Sequence, residues 1–354
     1  MNVLQKSPAV RWGAVVLIGL ALIALPFALS QAGTAWVRIT NLAILFTLLA
    51  LGLNIVVGFA GLLDLGYVAF YAVGAYAYAL LASPHFGLHL PFWVILPIGA
   101  AVAALFGLLL GAPTLKLRGD YLAIVTLGFG EIIRVFMNNL DHPVNITNGP
   151  KGLGQIDGVT VLGVPLARPL EIGSWTLSSV TLYYYLFLVL VVVSVVICHR
   201  LELSRVGRAW MAIREDEIAA KAMGINTRNM KLLAFGMGAT FGGVSGAMFA
   251  AFQGFVSPES FSLMESVMIV AMVVLGGIGH LPGVILGAVL LSSLPEVLRW
   301  VSGLLDLQAM TGGRLDAAIL RQLLIALAMI VIMLMRPRGL WPAPEHGKSL
   351  TRAI

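Results

Sequence analysis

Long stretches without a charged residue alternate with short polar segments along this chain of 354 residues. Residues 65–115 contain no Asp, Glu, Lys or Arg, and further gaps cover 12–37, 39–63, 172–199, 232–258 and 266–295. A helix of about 20 apolar residues crosses the hydrocarbon of a bilayer, where lipid offers the backbone no hydrogen-bond partner. The pattern therefore predicts an all-α fold, a polytopic transmembrane helical bundle.

The lengths of these runs predict about ten membrane spans. Their approximate positions are 12–30, 38–57, 65–83, 92–112, 121–139, 179–199, 231–253, 265–279, 283–298 and 317–335. The uncharged run after Asp64 is too long for one crossing, and the proline and glycine residues of 84–91 supply its break. Residues 1–340 are expected to form one transmembrane domain, followed by a tail at 341–354.

The composition agrees with a membrane protein, since 59% of the residues are hydrophobic and 11% are charged. Of the 22 Lys and Arg residues, 15 fall in alternate loops and tails that include 200–230 and both termini. The positive-inside rule makes that side cytoplasmic and makes 140–178 a periplasmic loop. The formal net charge of +6 is spread over loops, which argues against nucleic-acid binding. Cys198 is the only cysteine, so no cysteine-built metal site is expected.

Ionisable residues at membrane depth are candidates for function, and this chain has few of them. Asp64 lies between two apolar runs, where it belongs either to a cytoplasmic turn or to the substrate pathway. Glu131 and Arg134 are three residues apart and are expected to pair on one helix face, as a structural ion pair or as a functional one. Glu265 is expected to lie at the N-terminus of its helix, where a carboxylate interacts favourably with the helix dipole. A proton- or sodium-coupled carrier needs more such groups, so the energy source is expected to lie outside this chain.

The chain carries no complete nucleotide-binding loop. Residues 347–349 read Gly-Lys-Ser, but Pro342 occupies the position where a Walker A loop needs glycine. No catalytic residue, cofactor or metal is therefore expected in this chain.

The segment 200–230 has the chemistry of a helix. Asp216 is suited to cap residues 217–223, and Gly224 is suited to the left-handed position that ends a helix. This segment is therefore predicted to form a short amphipathic helix on the cytoplasmic surface.

Residues 208–226 (RAWMAIREDEIAAKAMGIN) resemble the cytoplasmic coupling segment of ABC importer permeases. Further blocks are similar to the LivM-type permease family of branched-chain amino acid importers: 53–61 (LNIVVGFAG), 113–121 (PTLKLRGDY), 147–152 (TNGPKG), 275–279 (LGGIG) and 336–340 (RPRGL). The usual motif of Glu-Ala-Ala, three residues and Gly, aligned on Gly224, places Ile218 where Glu is expected and Glu217 one position early.

The resemblance implies a permease subunit of the bacterial cytoplasmic (inner) membrane. Its implied partners are a second related permease, two cytoplasmic ATPases that bind ATP-Mg, and a periplasmic substrate-binding protein. The implied ATPase-coupling residues are Arg214, Asp216, Glu217, Ile218, Ala219, Ala220 and Gly224. The expected pathway or gate residues are Asp64, Thr147, Asn148, Gly149 and Lys151.

Three other functions stay open at this point. A same-family importer of urea or short-chain amides would share these blocks, because the binding protein largely selects the substrate. A stand-alone channel or secondary transporter is the main rival from another class, and a scaffolding membrane protein is the third.

Overall fold

The computed structural model describes residues 8–31, 33–114, 117, 119–161, 163–172 and 175–304, together with 323, 326–327, 330–331, 334–335 and 339–341. The α-helices of the continuous part are α1 (Pro8–Gln31), α2 (Thr34–Leu53), α3 (Val68–Leu81), α4 (Phe92–Thr114), α5 (Asp120–Asn139), α6 (Ser179–Leu203), α7 (Arg205–Glu215), α8 (Glu217–Ala222), α9 (Thr227–Gln253), α10 (Leu263–Gly276) and α11 (Leu281–Leu304). The predicted span 317–335 and the tail 341–354 lie largely outside the described residues.

Five of these helical segments are long and apolar enough to cross a membrane. They are Thr34–Phe59, Phe92–Thr114, Ser179–Leu203, Thr227–Gln253 and Pro258–Gly276, and shorter apolar helices cover Val16–Gln31, Val68–Leu81 and Leu281–Val297. The predicted multi-pass helical bundle is confirmed at this coarser level.

Helix α9 lies at the centre of the bundle and packs along its length against α3 and α4. Small residues permit this close approach. A Cβ atom built on Gly74 would lie 2.2 Å from the carbonyl oxygen of Gly243, so any side chain there would force α3 and α9 apart. Membrane helices associate through such backbone-to-backbone packing, since lipid provides no hydrophobic drive between them.

The chain between α2 and α3 departs from the predicted spans 38–57 and 65–83. Residues Asn54–Phe59 form a π-helix, and the next eight residues are not helical. The freed backbone groups find partners inside the protein: Leu65 N–H donates to Thr126 Oγ1, Gly66 N–H to Asp64 Oδ1 and Val68 N–H to Ser266 Oγ. Irregular backbone within a bundle is stable only when its polar groups are satisfied in this way.

Helix α1 contains Pro26, which has no N–H for the carbonyl of Leu22 four residues earlier. The hydroxyl of Tyr184 on α6 donates to that carbonyl at 2.7 Å, and the hydroxyl of Tyr185 donates to Ile23 O at 2.9 Å. Two tyrosines therefore satisfy the proline-interrupted turn and attach α1 to α6.

The structure also contains short strands, which the all-α prediction did not include. They are β1 (Leu153–Gly154), β2 (Thr160–Val161), β3 (Val164–Pro165), β4 (Leu170–Ile172), β5 (Trp175–Leu177) and β6 (Phe255–Val256). Antiparallel pairs join β2 to β3 and β4 to β5, and β1 pairs with β6 in the register Leu153↔Val256. The turn-rich segment 140–178 satisfies part of its backbone through these pairs, and β1–β6 attaches it to the chain after α9.

Candidate coupling site

Two consecutive helices form the segment that the sequence singled out. Ser204 caps α7 by accepting from Gly207 N–H at 3.1 Å. Asp216 ends α7 and caps α8, because its Oδ1 accepts from the backbone N–H of Ile218 at 2.8 Å and of Ala219 at 3.1 Å. A carboxylate at this position satisfies two free N–H groups and complements the helix dipole. The capping role predicted for Asp216 is confirmed.

Gly224 ends the α8 region with a φ of 85°. Ile225 N–H then donates to Ala220 O at 3.1 Å, which closes the turn towards α9. This left-handed conformation is the one predicted for Gly224, and it is unfavourable for residues with a Cβ.

The inward face of this segment is attached to α9 by two polar contacts. Lys231 Nζ lies 2.7 Å from Glu217 Oε1, and the lysine side chain is only 6% exposed. Trp210 on α7 is fully buried, and its Nε1 donates to Met230 O at 2.7 Å. Both helices are therefore attached to the first turns of α9, the central helix of the bundle.

Arg214 provides a third attachment, to the interrupted helix after α2. Its Nη1 donates to the carbonyl of Gly58 at 2.5 Å, within the π-helix. A Cβ atom on Gly61 would lie 2.9 Å from Arg214 Cγ, and one on Gly279 would lie 2.7 Å from Nη1. Asn54 Oδ1 accepts from Gly279 N–H at 2.9 Å. Arg214 thus joins the coupling segment to the π-helix and to the turn between α10 and α11.

The outward face of α8 is apolar and exposed. Ile218 is 70% exposed and Met223 is 83% exposed, and Ala219 is exposed between them. Ala220, in contrast, is 4% exposed. The helix therefore turns Ala220, one of the implied coupling residues, towards the protein interior.

A cleft of about 280 Å³ lies beside these contacts. Its lining includes Gly61, Asp120, Ile213, Arg214, Glu217 and Lys231. Residues from the coupling segment, the break before α3 and the start of α5 therefore meet at one place.

The residues predicted for the external gate lie apart from this site, and most of them stabilise a turn. Thr147 is 1% exposed and donates to Met137 O at 2.6 Å. Asn148 has a φ of 61° and donates from Nδ2 to Gly152 O at 2.8 Å. Gly149 is buried, whereas Lys151 is exposed. Of the four, Lys151 is the one with a largely accessible side chain.

Asp64 is fully buried, so it lines no open surface in this conformation. Glu131 and Arg134 form the predicted pair, with Arg134 Nε 3.0 Å from Glu131 Oε2. Glu265 lies in the first turn of α10, as predicted.

Residues 35–334 match the family model described as "Branched-chain amino acid transport system / permease component". The chain belongs to this permease family.

Individual relatives agree with that assignment. The permease is 44% identical to the high-affinity branched-chain amino acid transport system permease protein LivM of Escherichia coli, over 90% of this chain and 72% of the relative. The LivM protein of Salmonella typhimurium is 43% identical over the same shares. The LivH permease protein of Escherichia coli is 22% identical over 86% of this chain and 93% of its own length. No solved structure matches the chain.

Several residues of this site were not singled out from the sequence. Lys231 counted only as a basic residue at the start of a span, 14 positions after Glu217. Asn54 is a polar residue inside an apolar run, which is a usable signal. Trp210 lies within the block 208–226, but its contact with Met230 depends on how α7 folds onto α9.

Proposed function

We propose that this chain is a permease subunit of an ATP-binding-cassette importer and forms part of the pathway for branched-chain or other hydrophobic amino acids. The observation that supports this most is a capped surface helix, α8, with exposed Ile218 and Met223 on one side and the Glu217–Lys231 pair on the other. Exposed apolar side chains of this size on a charged surface are typical of a protein contact. The names of the relatives support the substrate class.

In the proposed mechanism, an ATPase binds the outward face of α8. ATP-driven movement of the ATPase displaces α7 and α8 together, since Asp216 joins them. Lys231 and Met230 pass this displacement to α9, and Arg214 passes it to the π-helix at Gly58. Segments of π-helix are frequent at functional sites, and this one ends its span, so it is a suitable place for the span to change its tilt.

The proposed complex contains a second related permease, two cytoplasmic ATPases and a periplasmic substrate-binding protein. The similarity of this chain to both LivM and LivH of one organism supports a pair of related permeases. We place the complex in the bacterial inner membrane, with ten spans and both termini in the cytoplasm. The ATP-Mg belongs to the ATPases.

Uptake by the reconstituted complex tests this function. The permease, its genomic neighbours and the binding protein in proteoliposomes should accumulate radiolabelled leucine, isoleucine or valine only with ATP on the ATPase side. A non-hydrolysable ATP analogue is the control. Uptake that continues without ATP, or that follows a proton or sodium gradient, would show a channel or secondary transporter instead, and uptake of urea alone would reassign the substrate.

Thiol labelling tests the topology. In a Cys198→Ser background, Ser204→Cys and Val144→Cys should react with an impermeant maleimide from opposite sides of the membrane. Labelling of both from one side would contradict the proposed orientation.

We also propose that Lys151 helps to receive the substrate-binding protein at the periplasmic side. Lys151→Ala should weaken docking of the loaded binding protein, and Arg168→Ala, at another exposed position of the same segment, is the matched control. Equal docking by the wild type and both variants would remove Lys151 from the interface.

A further inference from the structure

Helix α5 has one face packed against the bundle and one face without a partner among the described residues. Its buried face holds Thr126 and Gly130 against Gly66 in the break before α3. The opposite face is apolar and exposed, including Tyr121, Ile124, Ile132, Val135 and Phe136, which are 52–73% exposed. An apolar face of this kind is compatible with lipid, so the apolar residues alone do not identify its surroundings.

The ion pair on the edge of that face is not compatible with lipid. Glu131 and Arg134 lie about 12 and 8 Å along the helix from its end at Asn139, at 1.5 Å per residue. Their side chains are 34% and 28% exposed. In the proposed ten-span topology α5, about 30 Å long, is one of the spans, so these charges lie within the depth of the hydrocarbon. Charged side chains at this depth face protein or water.

Around Arg134, negative charges outnumber positive charges. Its Nη2 lies 3.0 Å from Glu131 Oε2, and its Nη1 lies 3.7 Å from Glu259 Oε2, just before α10. One guanidinium therefore serves two carboxylates, and Glu259 is 68% exposed. Closing this group into a dry protein interface would bury an excess negative charge, which is costly. A water-filled path that admits a cation avoids that cost.

An open, shallow cavity of about 390 Å³ lies beside Glu131, and Arg134 adjoins it through its ion pair with that residue. Its lining combines Glu131 and Asn139 with the apolar side chains of Ile132, Val135 and Phe136. Carboxylates attract an ammonium group, a guanidinium attracts a carboxylate, and the apolar wall suits a branched aliphatic side chain. Together these groups complement a zwitterionic α-amino acid.

We propose that the Glu131–Arg134–Glu259 edge of α5 lines the translocation path and forms a transient subsite for the charged head of an apolar α-amino acid. This inference rests on the proposed function and deepens it. Glu131 and Glu259 receive the α-ammonium group, Arg134 receives the α-carboxylate, and the side chain lies on Ile132 and Val135. The affinity of the subsite is low, because the Glu131–Arg134 ion pair competes with the substrate. The substrate can therefore leave.

Charge variants in the reconstituted complex test the subsite. Glu131→Gln should lower ATP-dependent leucine uptake by about tenfold, the effect of losing one hydrogen bond to a charged group. The ATPase activity stimulated by the loaded binding protein should stay within about twofold, because coupling is intact. Glu202→Gln removes another i,i+3 carboxylate pair, with His199 on α6, and should leave uptake unchanged.

The reversed pair separates a substrate contact from a structural one. Glu131→Arg combined with Arg134→Glu keeps an i,i+3 ion pair and should insert normally, yet its uptake should stay low. Recovery of wild-type uptake by the reversed pair would show that only the ion pair matters and would overturn the proposal. Wild-type uptake by Glu131→Gln would overturn it as well.

Thiol accessibility tests the same surface with the ion pair unchanged. In the Cys198→Ser background, Ile132→Cys should react with a charged, impermeant thiol reagent, and excess leucine should slow the reaction. Val189→Cys, which is exposed in the middle of α6, is the lipid-facing control. An unreactive Ile132→Cys in a transporting complex would overturn the path assignment. If the wild-type complex transports no amino acid, the proposed function fails first, so the two failures are distinguishable.

Discussion

Glu217 and Lys231 form one ion pair, but substituting Glu217 should destabilise the protein much more than substituting Lys231. The Lys231 side chain is 6% exposed and that of Glu217 is 26% exposed, with a separation of 2.7 Å. Glu217→Ala leaves a buried ammonium without this carboxylate, which costs about 3–5 kcal/mol. Lys231→Met removes the buried charge and leaves a carboxylate that water can reach, so about 1 kcal/mol is expected.

The assay is reversible denaturation of the purified permease in mixed micelles, followed by copurification of the ATPase subunits. Glu217→Ala should be the less stable single variant and should lose the ATPases, since α8 is no longer attached to α9. Glu215→Ala, the exposed neighbour, is the matched control and should change neither property. Combining Glu217→Ala with Lys231→Met should recover most of the stability, because no buried charge remains.

Equal stability of the two single variants would refute this reasoning. It would mean that Lys231 reaches water or another carboxylate as easily as Glu217 does, and that the pair does not hold α8 in place.

Three further predictions concern the same segment. Gly224→Val should lower the stability by about 1–2 kcal/mol, because φ is 85° at this position, and it should separate ATP hydrolysis from uptake. Gly224→Asn should retain coupling, since asparagine tolerates this conformation. A fully coupled valine variant would contradict the role of the turn. Arg214→Ala should raise the ATP hydrolysed per leucine transported, with Arg214→Lys intermediate, and an unchanged ratio would exclude the contact with Gly58 from the coupling route. Asp216→Ala should cost about 1 kcal/mol as a lost cap and reduce binding of the ATPases, while Asp216→Asn should retain most of it, as binding titrations can establish.

Local features of the coupling segment could be predicted from the sequence. The cap at Asp216 and the left-handed turn at Gly224 depend on residues within a few positions of each other, so the residue types alone indicate them. The burial of Ala220 could not be read in the same way. A helix of six residues has no long periodic pattern, and which side faces the bundle depends on how α7 packs on α9.

The long-range attachments could not be predicted either. Arg214 and Gly58 are 156 residues apart, and no pattern along the chain relates them. The same holds for the break before α3, which begins at Val68, three residues after the approximate start predicted at 65. Residues 65–67 belong to the uncharged run 65–115 by composition, and the conformation of this break depends on Thr126 and Ser266 from other helices.

The contacts of the pair Glu131–Arg134 could be predicted from the sequence only in part. The spacing of three residues predicts the ion pair, because residues i and i+3 share a helix face. The sequence does not show that Glu259 also lies near Arg134, since that contact requires the chain before α10 to return to the side of α5. The excess negative charge on which the subsite depends became visible only in the fold.

Cross-linking from α8 tests the central claim most directly. In the assembled complex with Cys198→Ser, a benzophenone attached at Ile218→Cys should cross-link to an ATPase subunit upon illumination, and the yield should change when ATP is bound. Val144→Cys, which is 64% exposed in the segment 140–178, should give no such product. Absence of an ATPase cross-link from Ile218→Cys in a complex that still transports would contradict the assignment of α8 as the coupling helix.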